Sequence, residues 1–230
     1  MVPNNKKRTE SMPSTIYLVR HAESVHNVTK DFSLRDPGLT ELGFTQASSL
    51  AASFPALSSI AAVVTSPLTR TIETTIAGFG AILDKKFVGG IRGREGGAKL
   101  ILDPDLQERS DLPCDTGSEL GTLRSRFPDL DISSLGEEWY LKEGAYTADD
   151  AAVAARARSV RRRLQSLADE LVEGGVPETK RDIVVVTHGV FMQFLAEDDT
   201  LDLPRAGWKA YALRNLDGTK GTEPVLVPDE

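Results

Sequence analysis

The sequence contains a single cysteine, no long apolar run and no excess of basic residues, and each shortage excludes a class of protein. With Cys114 alone, an intramolecular disulfide is impossible, and this is typical of a reducing compartment. No stretch of about 18 apolar residues occurs, so no segment is predicted to span a membrane. The 27 Lys and Arg stand against 34 Asp and Glu, a net charge of −7 that argues against nucleic acid as a partner. A small anionic ligand is still compatible, because the local charge of a pocket can oppose the net charge.

Residues 1–13 form a polar N-terminal stretch without the apolar segment of a secretory signal. It includes Lys6-Lys7-Arg8, which leaves a nuclear protein possible, although we expect a flexible tail and a cytoplasmic location. Residues 14–230 are enough for a single α/β domain with its own core. The sequence carries no signal for the oligomeric state.

Short apolar segments alternate with helix signals from residue 14 onward. Four segments are predicted to be strands: Thr15–Val19, Ala61–Thr65, Leu100–Leu102 and Ile183–Thr187. The predicted helices are Glu41–Ser53 with Thr40 as N-cap, a helix from Ser66-Pro67 to about Gly78, and Thr147–Glu173 with Thr147 and Asp150 as a capping box. Trp208–Asn215 is predicted to add an edge strand. The alternation predicts an α/β fold, a three-layer α/β/α sandwich with a mostly parallel central sheet and helices on both faces.

Other stretches carry their own expectations. Gly89–Gly97 is rich in glycine and is predicted to be a flexible loop. Residues 117–146 form an irregular insert, in which we favour a place in a lid for Trp139 and Tyr140 over a place in the core. Five arginines of the last long helix are predicted to form a solvated face that pairs with acidic neighbours: Arg156, Arg158, Arg161, Arg162 and Arg163. Beyond Asp217 the chain is predicted to be loose.

Two of the three histidines follow directly after predicted strands. Arg20 and His21 end the first strand, and the fourth strand runs into His188. The carboxyl ends of parallel strands meet at one edge of a sheet, where ligands usually bind. The second strand is followed by Arg70, about one turn into the next helix, and the third by Glu108. The topology alone therefore gathers two histidines, two arginines and a glutamate at one edge.

These groups together fit the transfer of a phosphoryl group. Arg20 and Arg70 can hold a phosphate through forked, charge-assisted hydrogen bonds, and their charges depress the pKa of an adjacent histidine. A neutral His21 can then attack phosphorus and form a phosphohistidine. Glu108 can supply the proton that the leaving oxygen needs. A protonated His188 would stabilise charge on the equatorial oxygens.

The run Arg20-His21-Ala22-Glu23-Ser24-Val25-His26-Asn27 resembles the Arg-His-Gly signature of the histidine phosphatase superfamily, which includes the phosphoglycerate mutases. Three later segments match in the same order: Ser66-Pro67-Leu68-Thr69-Arg70, Leu106-Gln107-Glu108 and Thr187-His188-Gly189. The resemblance covers residues 14–215 and implies a phosphoglycerate mutase-like fold. It also implies the following roles: His21 as the phosphorylated nucleophile, Arg20, Arg70 and His188 as the phosphate pocket, Glu108 as the proton donor and Asn27 as an added phosphate contact. We also expect Ser24 and Gly189 at the substrate.

The sequence departs from the family pattern at two places. Ala22 stands where the family usually has Gly, but a small side chain still lets a phosphate approach. The glycine-rich segment lengthens the span between Arg70 and Glu108, which makes Glu119 a weak competitor for the proton-donor role. His26 is predicted to lie at the surface or behind the catalytic groups.

A phosphatase is the leading hypothesis, and three alternatives stay open beside it. A mutase would pass the same phosphate to another hydroxyl, and an inactive relative would only bind a phosphorylated ligand. A metal site built from the three histidines lacks the usual paired spacing and a carboxylate cluster, so we expect no metal and no cofactor. The insert segment 123–143 does not resemble the glycolytic mutases, which favours hydrolysis of a small phosphorylated substrate. Three basic residues in the insert could favour a second anionic group on that substrate: Arg124, Arg126 and Lys142.

Overall fold

The structure, a computed structural model, describes residues 14–89, 93–215 and 223–229. Within these ranges six strands form one sheet: β1 (Thr15–Arg20), β2 (Ile60–Thr65), β3 (Lys99–Leu102), β4 (Asp182–Thr187), β5 (Trp208–Asn215) and β6 (Pro224–Pro228). Their order across the sheet is β3-β2-β4-β1-β5-β6. The first four strands are parallel, while β5 runs antiparallel to both β1 and β6. The predicted, mostly parallel sheet is therefore confirmed.

Helices cover both faces of the sheet, as predicted. The described helices are α1 (Val25–Thr29), α2 (Glu41–Ser53), α3 (Thr69–Phe79), α4 (Lys85–Val88), α5 (Leu120–Arg126), α6 (Asp150–Glu173) and α7 (Gly189–Ala196). Alternate residues of β1 enter different cores: Tyr17 and Val19 pack with residues of α2 and α3, while Ile16 and Leu18 pack with residues of α6 and α7. This alternation follows from the period of two along a strand, and it makes the molecule an α/β/α sandwich. No helix within the described ranges combines the length and apolar character needed to cross a bilayer.

Two predicted helix starts are wrong, and one is confirmed. Thr40 caps α2 as predicted, because its side chain accepts a hydrogen bond from the amide of Gly43. By contrast, Ser66 does not begin α3, which starts at Thr69 after the extended residue Leu68. The hydroxyl of Ser66 instead lies 2.9 Å from Nε2 of His188. A tertiary contact has therefore taken the side chain that the sequence pattern assigned to a cap.

The long helix α6 begins at Asp150 rather than at Thr147. Asp149 is its N-cap, since the carboxylate accepts a hydrogen bond from the amide of Ala152 at 3.0 Å. Thr147 donates its hydroxyl to the same carboxylate and makes no capping box with Asp150. The predicted end of the helix is confirmed, with Gly174 as the C-cap.

The C-terminal part of the chain is more ordered than predicted. The strand at Trp208–Asn215 exists but is not an edge strand, because β6 pairs with its outer side. The prediction of a loose chain beyond Asp217 is wrong for Pro224–Pro228, which form β6. Residues 216–222 lie outside the described ranges, as do the predicted tail of residues 1–13 and residues 90–92 of the predicted flexible loop.

The insert of residues 117–146 contains the short helix α5 and a 3-10 turn at Gly144–Tyr146, and is otherwise irregular. Trp139 is only 3% exposed and belongs to the core on the α2–α3 face, so its predicted place in a lid is wrong. Tyr140 is partly buried against the same core. Part of the insert is therefore packed onto the domain core through the ring of Trp139, which no periodic sequence pattern had predicted.

The arginine-rich face of α6 is only partly the solvated surface that the sequence predicted. Arg156 and Arg161 are buried, at 3% and 1% exposure. Arg161 donates to three backbone carbonyls and forms ion pairs with Glu197 and Glu223. The predicted pairing with acidic neighbours holds, since Arg163 binds two aspartates as well. The buried guanidinium of Arg161 is stable because all three of its nitrogens find acceptors.

Candidate active site

His21 follows directly after β1 and is 3% exposed. One ring nitrogen, Nδ1, lies 2.7 Å from the carbonyl oxygen of Ala22, and the other, Nε2, lies 3.3 Å from Nε of Arg70. A carbonyl can only accept and a guanidinium can only donate, so Nδ1 carries the proton and Nε2 carries the free lone pair. The backbone therefore selects the tautomer in which Nε2 of His21 carries the lone pair.

Burial is the main reason that His21 is neutral. The pKa of His21 is lowered well below its ordinary value, first by desolvation and then by the charge of Arg70. Arg205 lowers it further, whereas the backbone bond to Ala22 raises it. From the sequence we expected Arg20 and Arg70 to share this effect, but Arg20 is not among the main causes.

Arg70 joins the groups that the sequence predicted at this edge. It is the second residue of α3 and is 1% exposed. Its Nη2 lies 3.0 Å from Nδ1 of His188, while its Nη1 donates to the carbonyl of Cys114 at 2.6 Å. The rings of His21 and His188 stand 5.2 Å apart, with Arg70 bonded to both. The predicted convergence of two histidines and Arg70 is thus present in the structure.

His188 is also held in one tautomer. Because Arg70 must donate to Nδ1, the proton of the neutral ring sits on Nε2 and is donated to the hydroxyl of Ser66. The pKa of His188 is lowered well below its ordinary value, first by burial and then by Arg70. The ring is therefore neutral near pH 7 in this arrangement, and the protonated form expected beside a phosphate stays a prediction. It can still donate from Nε2 as a neutral ring.

Arg20 lies at the same edge but is held from a different side. Its Nη1 donates to the carboxylate of Asp202 at 2.7 Å and to the carbonyl of Leu203 at 2.5 Å. Its buried Nε has no hydrogen-bond partner among the described residues. A side chain at Gly189 would place its Cβ only 2.9 Å from Nη2 of Arg20, so glycine at this position leaves room for the guanidinium. A buried, unpaired donor is rare, and an oxygen of a bound anion or of a water molecule would satisfy it.

Glu108 lies beside the start of α7. Its carboxylate accepts from the amide of Phe191 at 3.0 Å and from the amide of Val190 at 3.2 Å. These are among the first N–H groups of the helix, which are free to bind an acceptor. Burial raises the pKa of Glu108, the charge of Asp115 raises it further, and the bonds from backbone amides oppose the shift. The competitor Glu119 is exposed at the N-cap of α5, so the site geometry favours Glu108.

Asp115 is a site residue that sequence reasoning missed. Its Oδ1 lies 2.7 Å from Nη2 of Arg70, and its Oδ2 accepts from the hydroxyl of Ser110 at 2.8 Å. Asp115 is the last residue of a short 3-10 turn, Pro113–Asp115, outside any strand end or family motif. The only signal in the sequence was the Cys-Asp pair in a loop soon after Glu108, which is too weak to locate an ion pair. Ser66 was likewise assigned to a cap and not to His188.

His26 is not a surface residue, contrary to one of its two predicted places. It is 6% exposed, and its ring stands 6.4 Å from that of His21. Its Nδ1 lies 2.9 Å from the hydroxyl of Ser24, and its Nε2 lies 3.0 Å from Nδ2 of Asn27. Asn27 in turn accepts from the amide and hydroxyl of Ser24. Ser24 and Asn27 thus hold the first turn of α1 and the wall behind His21, and their predicted substrate contacts stay predictions.

The residues with metal-binding side chains in this wall are His26, Cys114 and Asp115. One ligand atom of each lies within 4.8 Å of the others, and all three residues are buried. However, Asp115 already pairs with Arg70, and burial raises the pKa of Cys114 to about 11, which keeps the thiol protonated. The three histidines also converge, but the lone pairs of two of them meet the cationic Arg70. A cation would be repelled there, so the chemistry of the site favours an anion.

The three basic residues of the insert separate into different positions. Arg126 is engaged by Glu73 through an ion pair of 2.8 Å. Arg124 is exposed on α5. Lys142 alone reaches the site edge, where it donates to the carbonyl of Glu108 at 2.9 Å. Burial lowers the pKa of Lys142 to about 8, with a further contribution from Arg156.

Fold and site together define an α/β protein that gathers a buried histidine pair and two arginines at the carboxyl edge of a parallel sheet. Residues 16–220 match the histidine phosphatase superfamily (branch 1). A probable phosphatase of Schizosaccharomyces pombe is 30% identical over 203 residues, which covers 84% of each chain. The chain therefore belongs to the histidine phosphatase superfamily, and the resemblance found in the sequence is confirmed.

Two further relatives extend this comparison. A phosphoglycerate mutase-like protein of Arabidopsis thaliana is 27% identical over 204 residues, covering 77% of this chain and 69% of the relative. Among solved structures, mycobacterial glucosyl-3-phosphoglycerate phosphatase matches with a TM-score of 0.56 at 21% identity, over 94% of this chain and 98% of that one. This likeness supports the phosphoglycerate mutase-like fold.

Proposed function

We propose that the protein is a phosphomonoester hydrolase that acts through a phosphohistidine at His21 on a small phosphorylated metabolite. The observation that carries the proposal is the tautomer of His21. With Nδ1 donating to the carbonyl of Ala22, the lone pair of Nε2 faces the guanidinium of Arg70, where an anion is attracted. The phosphorus atom of a phosphate ester bound by Arg70 would therefore lie next to Nε2 of His21.

The phosphate binds where donors are unsatisfied or weakly held. The buried Nε of Arg20 gains the acceptor that it lacks, and the long bond of 3.3 Å between Arg70 and Nε2 of His21 gives way to the ligand. Exchange of that bond for a phosphoryl oxygen frees the lone pair for in-line attack. His188 donates from Nε2 as a neutral ring if it releases the hydroxyl of Ser66. The site therefore converts resting hydrogen bonds into substrate contacts.

The chemistry proceeds in two balanced steps. In the first step Nε2 of His21 forms a bond to phosphorus, the ester P–O bond breaks, and the leaving oxygen takes a proton from Glu108. The raised pKa of Glu108 supports this role, because the carboxyl must hold a proton before it can donate one. In the second step water attacks phosphorus, loses a proton to Glu108 and releases inorganic phosphate with neutral His21. None of these steps requires a metal or a cofactor.

Water is proposed as the final acceptor over a second hydroxyl. The S. pombe relative is named a probable phosphatase, which supports hydrolysis. Its match covers 84% of both chains, whereas the match to the mutase-like relative covers 77% of this chain and 69% of the relative. Lys142 beside Glu108 supports a substrate with a further anionic group near the leaving oxygen. A reducing compartment such as the cytoplasm fits the single cysteine.

The proposal is tested by a screen of sugar phosphates, nucleotides, phosphoglycerates and phosphopeptides for release of inorganic phosphate. The wild type should turn over at least one of them, and His21→Ala should lose the activity while keeping its melting temperature. Brief reaction with a ³²P-labelled substrate should leave acid-labile label on the protein. Unchanged turnover by His21→Ala would refute the nucleophile. A requirement for 2,3-bisphosphoglycerate, with no net phosphate release, would instead show a mutase.

A further inference from the structure

A third arginine, Arg205, lies outside every motif, in a loop whose backbone is hydrogen-bonded to Arg20 and His21. It sits in the loop between α7 and β5, in the run Leu203-Pro204-Arg205-Ala206-Gly207. Backbone hydrogen bonds join this loop to Arg20 and His21. The amide of Arg20 donates to the carbonyl of Gly207 at 3.0 Å, and the amide of Ala206 donates to the carbonyl of His21 at 3.4 Å. Arg205 therefore directly precedes a residue, Ala206, whose backbone is hydrogen-bonded to His21.

The same loop also holds the side chain of Arg20. Asp202 and the carbonyl of Leu203 both accept from its Nη1. Ala206 adopts a φ of +56°, a left-handed conformation that costs a non-glycine residue free energy. A strained residue persists only where its surroundings impose it, and here it directly follows Arg205. The backbone thus fixes where the Arg205 side chain starts.

The charge of Arg205 is not neutralised by a close carboxylate. Among the described residues it forms no ion pair, whereas Arg20 is paired with Asp202 and Arg70 with Asp115. Burial lowers the pKa of Arg205 to about 10, repulsion from Arg20 and Arg70 lowers it further, and the charges of Glu108 and Asp202 oppose this shift. The backbone bond from Ala206 to His21 places the neighbouring Arg205 beside that histidine, and the charge of Arg205 accordingly lowers the pKa of both His21 and His26. Arg20 and Arg70 thus have carboxylate partners, whereas the guanidinium of Arg205 has no carboxylate within ion-pair distance among the described residues and attracts an anion.

We propose that Arg205 is a third phosphate-binding guanidinium of this site, which contacts the oxygens of the transferred phosphoryl group beside Arg20. The inference rests on the proposed phosphate site and adds a binding residue to it. A forked guanidinium can hold two oxygens of one phosphate at once, which a point charge cannot do. The loop from Asp202 to Gly207 then acts as a platform that orients two arginines, Arg20 through its side chain and Arg205 through its backbone.

The test is a titration of inorganic phosphate into the wild type, Arg205→Gln, Arg205→Lys and the control Arg162→Gln, followed by calorimetry or ³¹P NMR. Arg162 is an exposed arginine of α6, whose nearest carboxylate oxygen lies 3.6 Å away on Glu223. Arg205→Gln should weaken phosphate binding about 10- to 100-fold, the range for a lost charge-assisted bond. Arg205→Lys should recover part of the loss, and Arg162→Gln should match the wild type.

Two results would overturn the role of Arg205. One is binding by Arg205→Gln within twofold of the wild type. The other is full rescue by Arg205→Lys together with loss of the difference in about 0.5 M salt, which would indicate screened long-range charge rather than contact. Phosphate binding requires no turnover, so this test stands even if His21→Ala retains activity and the proposed reaction fails. Thermal melting of each variant separates a binding defect from unfolding.

Discussion

The carboxylate of Asp115 and the guanidinium of Arg70 form a buried ion pair, with Oδ1 2.7 Å from Nη2. The pair leaves Nε of Arg70 directed at His21 and Nη2 shared with His188. Arg70 is 1% exposed, so the position of its fork is set by its partners rather than by water. Asp115 therefore acts on the proposed reaction through Arg70, as a positioning residue.

Replacement of Asp115 by asparagine should lower kcat/KM about 10- to 100-fold, because the arginine loses a charge-assisted partner and its fixed orientation. The free energy of unfolding should fall by about 3 kcal/mol, since a buried guanidinium is left without its carboxylate. Urea unfolding and steady-state kinetics measure the two effects. Asp111→Asn, in the same loop but exposed, is the matched control. Equal kcat/KM in both variants would contradict the positioning role.

Glu108→Gln should separate substrates by their leaving group. For an alkyl phosphate, whose leaving oxygen needs a proton, the rate should fall about 10²- to 10⁴-fold. For p-nitrophenyl phosphate, whose leaving group departs as a stable anion, the loss should be much smaller. The pH profile adds a second readout. Since the pKa of Glu108 is raised, activity of the wild type should decline as rising pH removes that proton, and this limb should be absent in Glu108→Gln. Equal losses on both substrates would exclude Glu108 as the acid.

The buried histidines should make folding sensitive to mild acid. The pKa of His26 is lowered to about 4, mainly by burial, and those of His21 and His188 are lowered in the same direction. Below pH 6.5 the unfolded chain takes up protons that the native chain refuses, so stability is lost as pH falls. Each histidine contributes about 1.4 kcal/mol per pH unit in that window. The raised pKa values of Glu108 and Asp103 act with the opposite sign, because they favour the native state at low pH.

The contribution of His26 is isolated by comparison with His26→Gln. Urea unfolding at half-unit steps between pH 6.5 and 4.5 should show a shallower loss of stability in the variant, by the slope of one proton. Parallel curves for the two proteins would mean that His26 titrates normally in the native state.

Gly117 and Gly121 provide a matched pair of stability variants in the insert. A Cβ at Gly117 would lie 2.1 Å from the ring of Trp139, whereas one at Gly121 meets nothing within 4 Å. Gly117→Ala should lower the free energy of unfolding by about 1–3 kcal/mol, because a rigid buried ring must move. Gly121→Ala, within α5, should raise it by up to about 1 kcal/mol through helix propensity. Thermal unfolding of both checks the opposite signs, and equal melting temperatures would show that Trp139 is not a fixed core residue.

The sequence by itself determined which residues form the strands and which groups those strands deliver to one edge. Buried parallel strands are continuous apolar runs, and the residue that follows such a run is confined to the edge of the sheet. For that reason the sequence alone predicted His21, Arg70, Glu108 and His188 at this edge. Periodicity also marked the long helix α6 and its end at Gly174.

Only the tertiary structure decided the partners of those groups. Loops without a periodic pattern determine three features: the tautomer of His21, the ion pair between Arg70 and Asp115, and the position of Arg205. A loop is placed by contacts between residues far apart in the chain, as when the amide of Arg20 meets the carbonyl of Gly207. Ser66 and Trp139 were misassigned for the same reason. Local signals predicted a cap and a lid, but Ser66 is hydrogen-bonded to the distant His188 and Trp139 packs in the core. The strands determine where chemistry can occur, and the loops determine the protonation and charge that make it possible.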